Sequence, residues 1–346
     1  MNRDMDVNGM SVQDLRSLCK RLLGQHPASK VTLSKLARLF IERRHARAGT
    51  CEATLRRYDD TARFLIQRLG DRLIETYSRD ELERALLSAE TLKGMHASWA
   101  TRRYRVRAAR SMWRFACANG YLLSDPCAAI SVEGHDPQRL PVELEIKTLR
   151  KILYVARSDH TRPWFADACT LLALTCLRPA ELWRLEWRYV ELNGHDRSRL
   201  LLDGEIRRKN PTPALYPLCT QAVEILEGWH ARTLLVVGSE HMPKAPVLWS
   251  RIEDVGKLAR LRTGTVTMLF TRLVRGIGAR CLRGEIPTLY TLRHFYQQLF
   301  EGCANPDVRM RLMGHSTPDV GPRHYMSAME EEQRVVTSTF PRLLQA

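Results

Sequence analysis

The chain is poor in acid and has no long apolar run, no paired cysteines and no nucleotide-binding loop. No hydrophobic stretch approaches the ~18 residues needed to span a membrane. The opening MNRDMDVNGM has no apolar core of the kind a secretory signal needs. Neither membrane insertion nor export is expected, and the protein is expected in the cytoplasm. The nine cysteines include no CxxC pair and no metal-ligand spacing, so they read as reduced core residues. There is no Walker A loop, no GxGxxG leading into a strand–helix unit, and no carboxylate cluster suited to two magnesium ions. Those absences argue against P-loop nucleotide hydrolysis, dinucleotide redox chemistry and two-metal phosphoryl transfer. Internal repeats and low-complexity tracts are also lacking.

Acidic residues number 38 against 54 lysines and arginines, a formal charge of +16. Up to Leu140 the count is 25 basic to 16 acidic, and beyond it 29 to 22, or +9 and +7. Excess positive charge in both halves points to a polyanionic partner, nucleic acid first; a ribosomal-type or merely basic surface is the alternative. At 346 residues the chain has room for two domains, each with its own core.

Apolar spacing predicts helices over 33–47, 51–69, 79–89 and 98–118. A small amphipathic helix carrying Val12, Leu15, Leu18 and Leu22 precedes them, and Pro27 and Ser29 break it. The stretch 131–142 holds two prolines and a glycine without periodicity and marks a linker. Helices resume near Glu143, interrupted by a β region near 200–218. The expected organisation is an N-terminal extension over 1–28, a helical domain over 29–133, a linker over 134–142 and a second domain over 143–346. The fold class is mainly α with a small β-sheet or hairpin.

The helix at 98–118 carries Arg102, Arg103, Arg105, Arg107, Arg110 and Arg114 and no acidic residue. Arg103, Arg107, Arg110 and Arg114 follow i, i+4, i+7, i+11 and share one face. Tyr104, Ala108, Met112 and Phe115 offer another face to a core. An all-arginine face repels itself unless an anion lies against it, and guanidinium suits phosphate and guanine edges. DNA contact is the expectation here; the alternative is a solvated face balanced by carboxylates elsewhere in the fold.

Four segments in the second half carry chemistry. In TCLRPAEL, Pro179 holds Arg178 out of helical geometry and starts a new helix, whose N–H groups favour an anion. Glu181 is placed to buttress Arg178, although taken alone such a pair is more often a structural salt bridge. In YTLRH, Tyr290 and Arg293 are three apart and expected on one helix face, with Leu292, Tyr296 and Leu299 as the packing stripe. In LMGHS, His315 follows an apolar turn. In RHYMS, Tyr325 comes just after the breaker Gly321-Pro322. A lone histidine or tyrosine of this kind is more often structural; the weight lies on the four together and in this order.

Together the segments resemble the tyrosine recombinase (phage integrase-like) family. The family's T-G-L-R-x-x-E-L box stands here as T-C-L-R-P-A-E-L, which gives Arg178, with Cys176 in place of glycine. Its H-x-L-R-H box stands as Y-T-L-R-H, which gives Arg293 and His294, with Tyr290 in place of the first histidine. Its L-G-H-S box stands as M-G-H-S, which gives His315. The nucleophilic tyrosine follows and falls on Tyr325. The family also carries a lysine on a β-hairpin about eight residues before a Pro-Leu pair. Lys209 stands so before Pro217-Leu218, with Arg207 and Arg208 as competitors for the role.

The resemblance implies a helical core-binding domain followed by a mixed α/β catalytic domain. It implies site-specific recombination of double-stranded DNA, for integration, excision or resolution, by a homo-tetramer associated with the nucleoid of a bacterium, phage or mobile element. Accessory DNA-bending or directionality proteins are further possible partners. Tyr325 would attack phosphorus, Arg178 and Arg293 would clamp the phosphate oxygens, His315 would donate a hydrogen bond, and Lys209 would protonate the leaving oxygen. No cofactor is expected, because a phosphotyrosine retains the energy of the cleaved bond. Tyr290 stands where a histidine would move or carry a proton; its hydroxyl still donates a hydrogen bond. A type IB topoisomerase-like enzyme and an inactive DNA-binding regulator on the same fold are the alternatives. The tail 327–346 is expected to form a helix that docks on a neighbouring subunit or on its own domain.

Overall fold

The structure, a computed structural model, describes residues 30–46, 50, 52–91, 94–134, 142–194, 197–207, 213–254, 256–301, 335–336 and 340–343. The N-terminal extension and its expected amphipathic helix lie outside the described residues. The chain divides into two compact units, Met1–Gln138 and Arg139–Ala346.

The first unit is built from α1 (Leu33–Ala46), α2 (Glu52–Leu69), α3 (Arg79–Leu87) and α4 (Trp99–Ala118). Each helix starts at or next to the position its apolar spacing sets. Side chains fill the open N–H groups at the helix starts. The Asp71 carboxylate accepts the backbone N–H of Ser34 at 3.0 Å and its hydroxyl at 2.6 Å, fixing the first turn of α1. Ser78 opens α3 with a reciprocal cap. Its Oγ accepts from the Glu81 N–H at 3.2 Å, and the Glu81 carboxylate accepts the Ser78 N–H at 2.9 Å. Ser78→Ala is expected to lower stability by about 1 kcal/mol, read as a lower urea midpoint at unchanged slope.

The core of this unit gathers Phe40, Phe64, Leu65, Leu82 and Leu86 around Met112 and Trp113 of α4. Full burial of a side chain such as Phe64 stabilises by roughly 1.5–3 kcal/mol. The buried stripe of α4 runs through Arg105, Val106, Ala109, Met112, Trp113 and Ala116. It is therefore turned relative to the expected stripe: Ala108 and Met112 are buried, but Tyr104 and Phe115 lie at its margins. Trp113, the bulkiest side chain of the buried stripe, goes fully inward, whereas Trp99 at the start of the helix is only partly buried.

The second unit begins with α5 (Ile146–Arg157) and α6 (Pro163–Leu174). Almost every residue of α6 is buried, as an all-round apolar sequence requires. Its one carboxylate, Asp167, is satisfied by the Trp229 indole N–H at 2.8 Å. Then come the short α7 (Pro179–Leu182), strands β1 (Val190–Glu191), β2 (Arg199–Leu202) and β3 (Ala214–Pro217), and the long α8 (Thr220–His241). The strands form an antiparallel sheet in the order β1-β2-β3, with Leu200 opposite Tyr216 and Leu202 opposite Ala214. This is the β region expected near 200–218. α8 is bent at Gly238, whose φ of 73° suits glycine far better than any other residue.

A second antiparallel hairpin, β4 (Trp249–Asp254) with β5 (Lys257–Arg260), has no counterpart in the sequence reading. The unit closes with α9 (Thr263–Gly276) and α10 (Leu289–Leu299). Of the tail, the described part packs on its own unit. Val336 and Leu343 are buried, and the Phe340 ring lies 5.2 Å from that of Tyr296. The Leu343 N–H donates to Gln221 at 2.9 Å, and Arg150 donates to the Arg342 carbonyl at 2.9 Å.

Candidate active site

Two arginines from distant parts of the second unit meet at one carboxylate. α6 ends at Leu174, and Thr175 and Arg178 are extended in the link before Pro179 starts α7. Arg178 takes φ −71° and ψ 148°, the extended geometry that a following proline imposes. The chain reverses at once, which brings Glu181 back onto Arg178. One Glu181 oxygen accepts the Arg178 backbone N–H at 2.7 Å; the other accepts Arg178 Nη1, also at 2.7 Å. The Arg178 N–H is thus filled by the protein's own carboxylate, and its guanidinium keeps an open side.

Arg293 reaches the same carboxylate from α10. Its Nη1 donates to the carbonyl of Cys176 and lies 4.0 Å from Glu181 Oε2. The side chains of Arg293 and Glu181 are 7% and 3% exposed, whereas that of Arg178 is 25% exposed. Glu181 and Arg293 are therefore held inside while Arg178 keeps an open side. Burial works against the charge of Arg178, but the hydrogen bond and charge of Glu181 outweigh it and raise its pKa. The guanidinium is cationic throughout.

Tyr216, from β3, lies against the same cluster. Burial pushes its phenol up to about 12, and it senses the charges of Arg207, Glu181 and Arg293. Cys176 is fully buried, and its thiol is pushed up to about 11, chiefly by burial. It therefore stays a neutral thiol near pH 7 and is no nucleophile. Arg207, on the turn after β2, is only 2% exposed. Neither the closeness of Tyr216 nor the burial of Arg207 was visible in the sequence.

On α10 the expected sharing of a face by Tyr290 and Arg293 is not seen. Arg293 turns inward with Leu289, Leu292, Phe295 and Tyr296, while Tyr290 is 47% exposed. His294 sits on the outer side with Tyr290, and its Nδ1 is 2.9 Å from Gln297 Oε1. The inward pull on Arg293 comes from the Cys176 carbonyl and Glu181. Leu292 and Tyr296 of the expected packing stripe are fully buried, and Leu299 packs at its edge. Lys209, His315 and Tyr325 lie outside the described residues.

In the first unit five of the six arginines of α4 divide by role, and Arg102 is half-buried. Arg105 is buried, donates to the carbonyls of Ser88 at 3.2 Å and Glu90 at 2.7 Å, and stacks 3.7 Å over the Phe64 ring. Arg110 is half-buried and donates to the carbonyls of Cys127, at 3.1 Å, and Ile130. It ties the end of the unit to α4 and drops out of the expected outward row. Arg103, Arg107 and Arg114 remain exposed, with Arg103 resting 4.9 Å over the Trp99 ring.

The architecture is thus a helical unit followed by an α/β unit in which two arginines converge on a buried glutamate. No family model and no curated protein matches the chain. Solved structures do. A lambda integrase dimer bound to a COC′ core site is 20% identical, with a TM-score of 0.61, over 83% of this chain and 96% of that one. A lambda integrase tetramer bound to a Holliday junction is 20% identical, with a TM-score of 0.61, over 91% of this chain and 81% of that one. The Tn1549 transposon integrase in complex with transposon right-end DNA is 17% identical, with a TM-score of 0.54, over 86% and 98%. The chain shares the fold of these integrases, mainly α with small antiparallel sheets, as the expected fold class had it.

Proposed function

We infer that this protein is a site-specific DNA recombinase that cuts and rejoins DNA through a phosphotyrosine. The observation that carries the reading is the meeting of Arg178 and Arg293 on Glu181, one guanidinium open and one held inside. Phosphoryl transfer depends mostly on positioning and on charge set against the equatorial oxygens. Two arginines fixed by a shared carboxylate meet that need, since their geometry is set before the substrate arrives. In the proposed step Tyr325 Oη forms a bond to phosphorus and the bond from phosphorus to the 5′-oxygen breaks. The tyrosine proton passes to water, and Lys209 supplies a proton to the departing 5′-oxygen. The product is a 3′-phosphotyrosyl link with a free 5′-hydroxyl, and rejoining reverses the step. His315 donates a hydrogen bond to the phosphate, and the exposed Tyr290 hydroxyl donates another. A tyrosine pKa near 10 makes a cationic setting necessary for attack at neutral pH.

The basic balance of both halves and the exposed Arg103, Arg107 and Arg114 support duplex DNA as the partner. The lambda integrase on a Holliday junction is a tetramer, and a homo-tetramer on two duplexes is proposed here as well. The organisation proposed is a core-binding domain over 29–133 and a catalytic domain over 143–346. The test is covalent trapping. Adducts are first mapped across host DNA, and the site found is then presented as a nicked suicide duplex. An adduct at Tyr325 that disappears in Tyr325→Phe is the expected outcome. A mapped site on which no Tyr325-dependent adduct forms sinks the enzyme reading. Exchange of strands between two labelled duplexes, rather than relaxation alone, separates a recombinase from a topoisomerase.

A further inference from the structure

The β4–β5 hairpin, the start of α9 and the turn before α6 enclose an open cleft of about 670 Å³. Four arginines line it, Arg162, Arg251, Arg260 and Arg262, against a single carboxylate, Glu253. Part of that charge is balanced nearby. Arg162 pairs with Asp159 at 2.6 Å and Arg260 with Glu186 at 2.5 Å, while Glu253 is drawn to Lys257 at 3.8 Å. The side chains of Arg251 and Arg262 are exposed and have neither ion pair nor hydrogen bond among the described residues. Two uncompensated guanidiniums thus face one cleft whose floor, at Trp164 and Leu261, is apolar and buried. A low-dielectric wall strengthens their field toward whatever enters.

The form of the cleft says which anion it suits. A small free anion is held by donors that converge on one point. Here the arginines come from three separate segments, and all four are exposed. They line an open track, which matches a polymer with charges repeated along it. The hairpin is also fastened to the segment that leaves the Arg178 turn. Arg260 donates to the Arg184 carbonyl at 3.4 Å, the Trp187 N–H to Ala245 at 3.2 Å, and the Val247 N–H to Leu185 at 3.0 Å. A chain of phosphates lying in the cleft would be held in fixed relation to the paired arginines.

We propose that this cleft binds the phosphodiester backbone of the same DNA duplex on which Arg178 and Arg293 act, through Arg251 and Arg262. The proposal rests on the recombinase reading for its duplex, but its test does not depend on the chemistry. The affinity of a labelled random-sequence duplex is measured by fluorescence anisotropy across a potassium chloride series. This is done for the wild type, for Arg251→Ala/Arg262→Ala and for Arg251→Lys/Arg262→Lys. Losing two phosphate contacts makes the slope of log K against log salt shallower by about 1.8 in the alanine pair. The lysine pair keeps its charge and should keep the wild-type slope. An unchanged slope in the alanine pair overturns the proposal, as does a lysine pair that falls as far as the alanine pair. Wild type with no affinity for duplex DNA overturns it too. If the slope falls as expected while wild type forms no Tyr325 adduct, the cleft stands and the recombinase reading fails. If the adduct forms and the slope does not move, the cleft alone fails.

Discussion

Arg293→Ala is expected to slow adduct formation by about 10²–10³-fold, measured in single turnover at saturating DNA. The magnitude is that of one preorganised donor removed from developing charge. Arg293 is well suited to that role because nothing about it has to be ordered when substrate binds. Its side chain is 7% exposed and already fixed by the Cys176 carbonyl and by Glu181 at 4.0 Å. The same ties make the variant a structural lesion, since the Cys176 carbonyl and one side of Glu181 lose a partner. The two effects separate with Arg293→Lys. Lysine restores a positive charge but not the planar fork that reaches two acceptors at once. The expected result is stability recovered in part and rate scarcely at all. A rate within tenfold of wild type in Arg293→Ala would remove this arginine from the chemistry and leave it a structural strut.

The sequence made some of this legible for definite reasons. Pro179 dictates the backbone of Arg178, so the junction that carries it was readable from one dipeptide. The helices of the first unit were readable because their apolar residues keep the helical period. The β4–β5 hairpin was not, because most of its residues are exposed and no inward face imposes an alternation. Arg110 misled for a related reason. Spacing assigns an arginine to a face but is blind to backbone carbonyls within its reach. Here those belong to Cys127 and Ile130, brought alongside by tertiary structure. The same holds for Tyr290 and Arg293. Their spacing is that of neighbours on a helix, yet the acceptors for Arg293 lie inside the unit, and it alone is drawn in. Motif order made Arg178, Glu181 and Arg293 candidates; long-range acceptors decided which of them are buried.

Glu181→Ala is the sharpest probe of the site, and it is expected to act first on stability. The carboxylate is 3% exposed and carries two hydrogen bonds from Arg178, with Arg293 beside it. Removing one partner of a buried ion pair typically costs about 3–5 kcal/mol, because the charge left behind stays unpaired. Here two guanidiniums are left, one of them 7% exposed and unable to turn to water. In a unit of this size the loss corresponds to a fall of roughly 10 °C in the melting temperature. The variant should also lose cleavage, since the arginines would no longer be held apart and aimed by a common acceptor. If the two arginines hold a phosphate, DNA then supplies the negative charge that Glu181 no longer does. Duplex DNA carrying the cleavage site should therefore raise the melting temperature of Glu181→Ala by more than it raises that of the wild type. Differential scanning fluorimetry of both proteins with and without that duplex reads the difference directly. Equal increments in the two proteins would mean that the phosphate does not sit on this pair, and the cluster would then be a structural ion network.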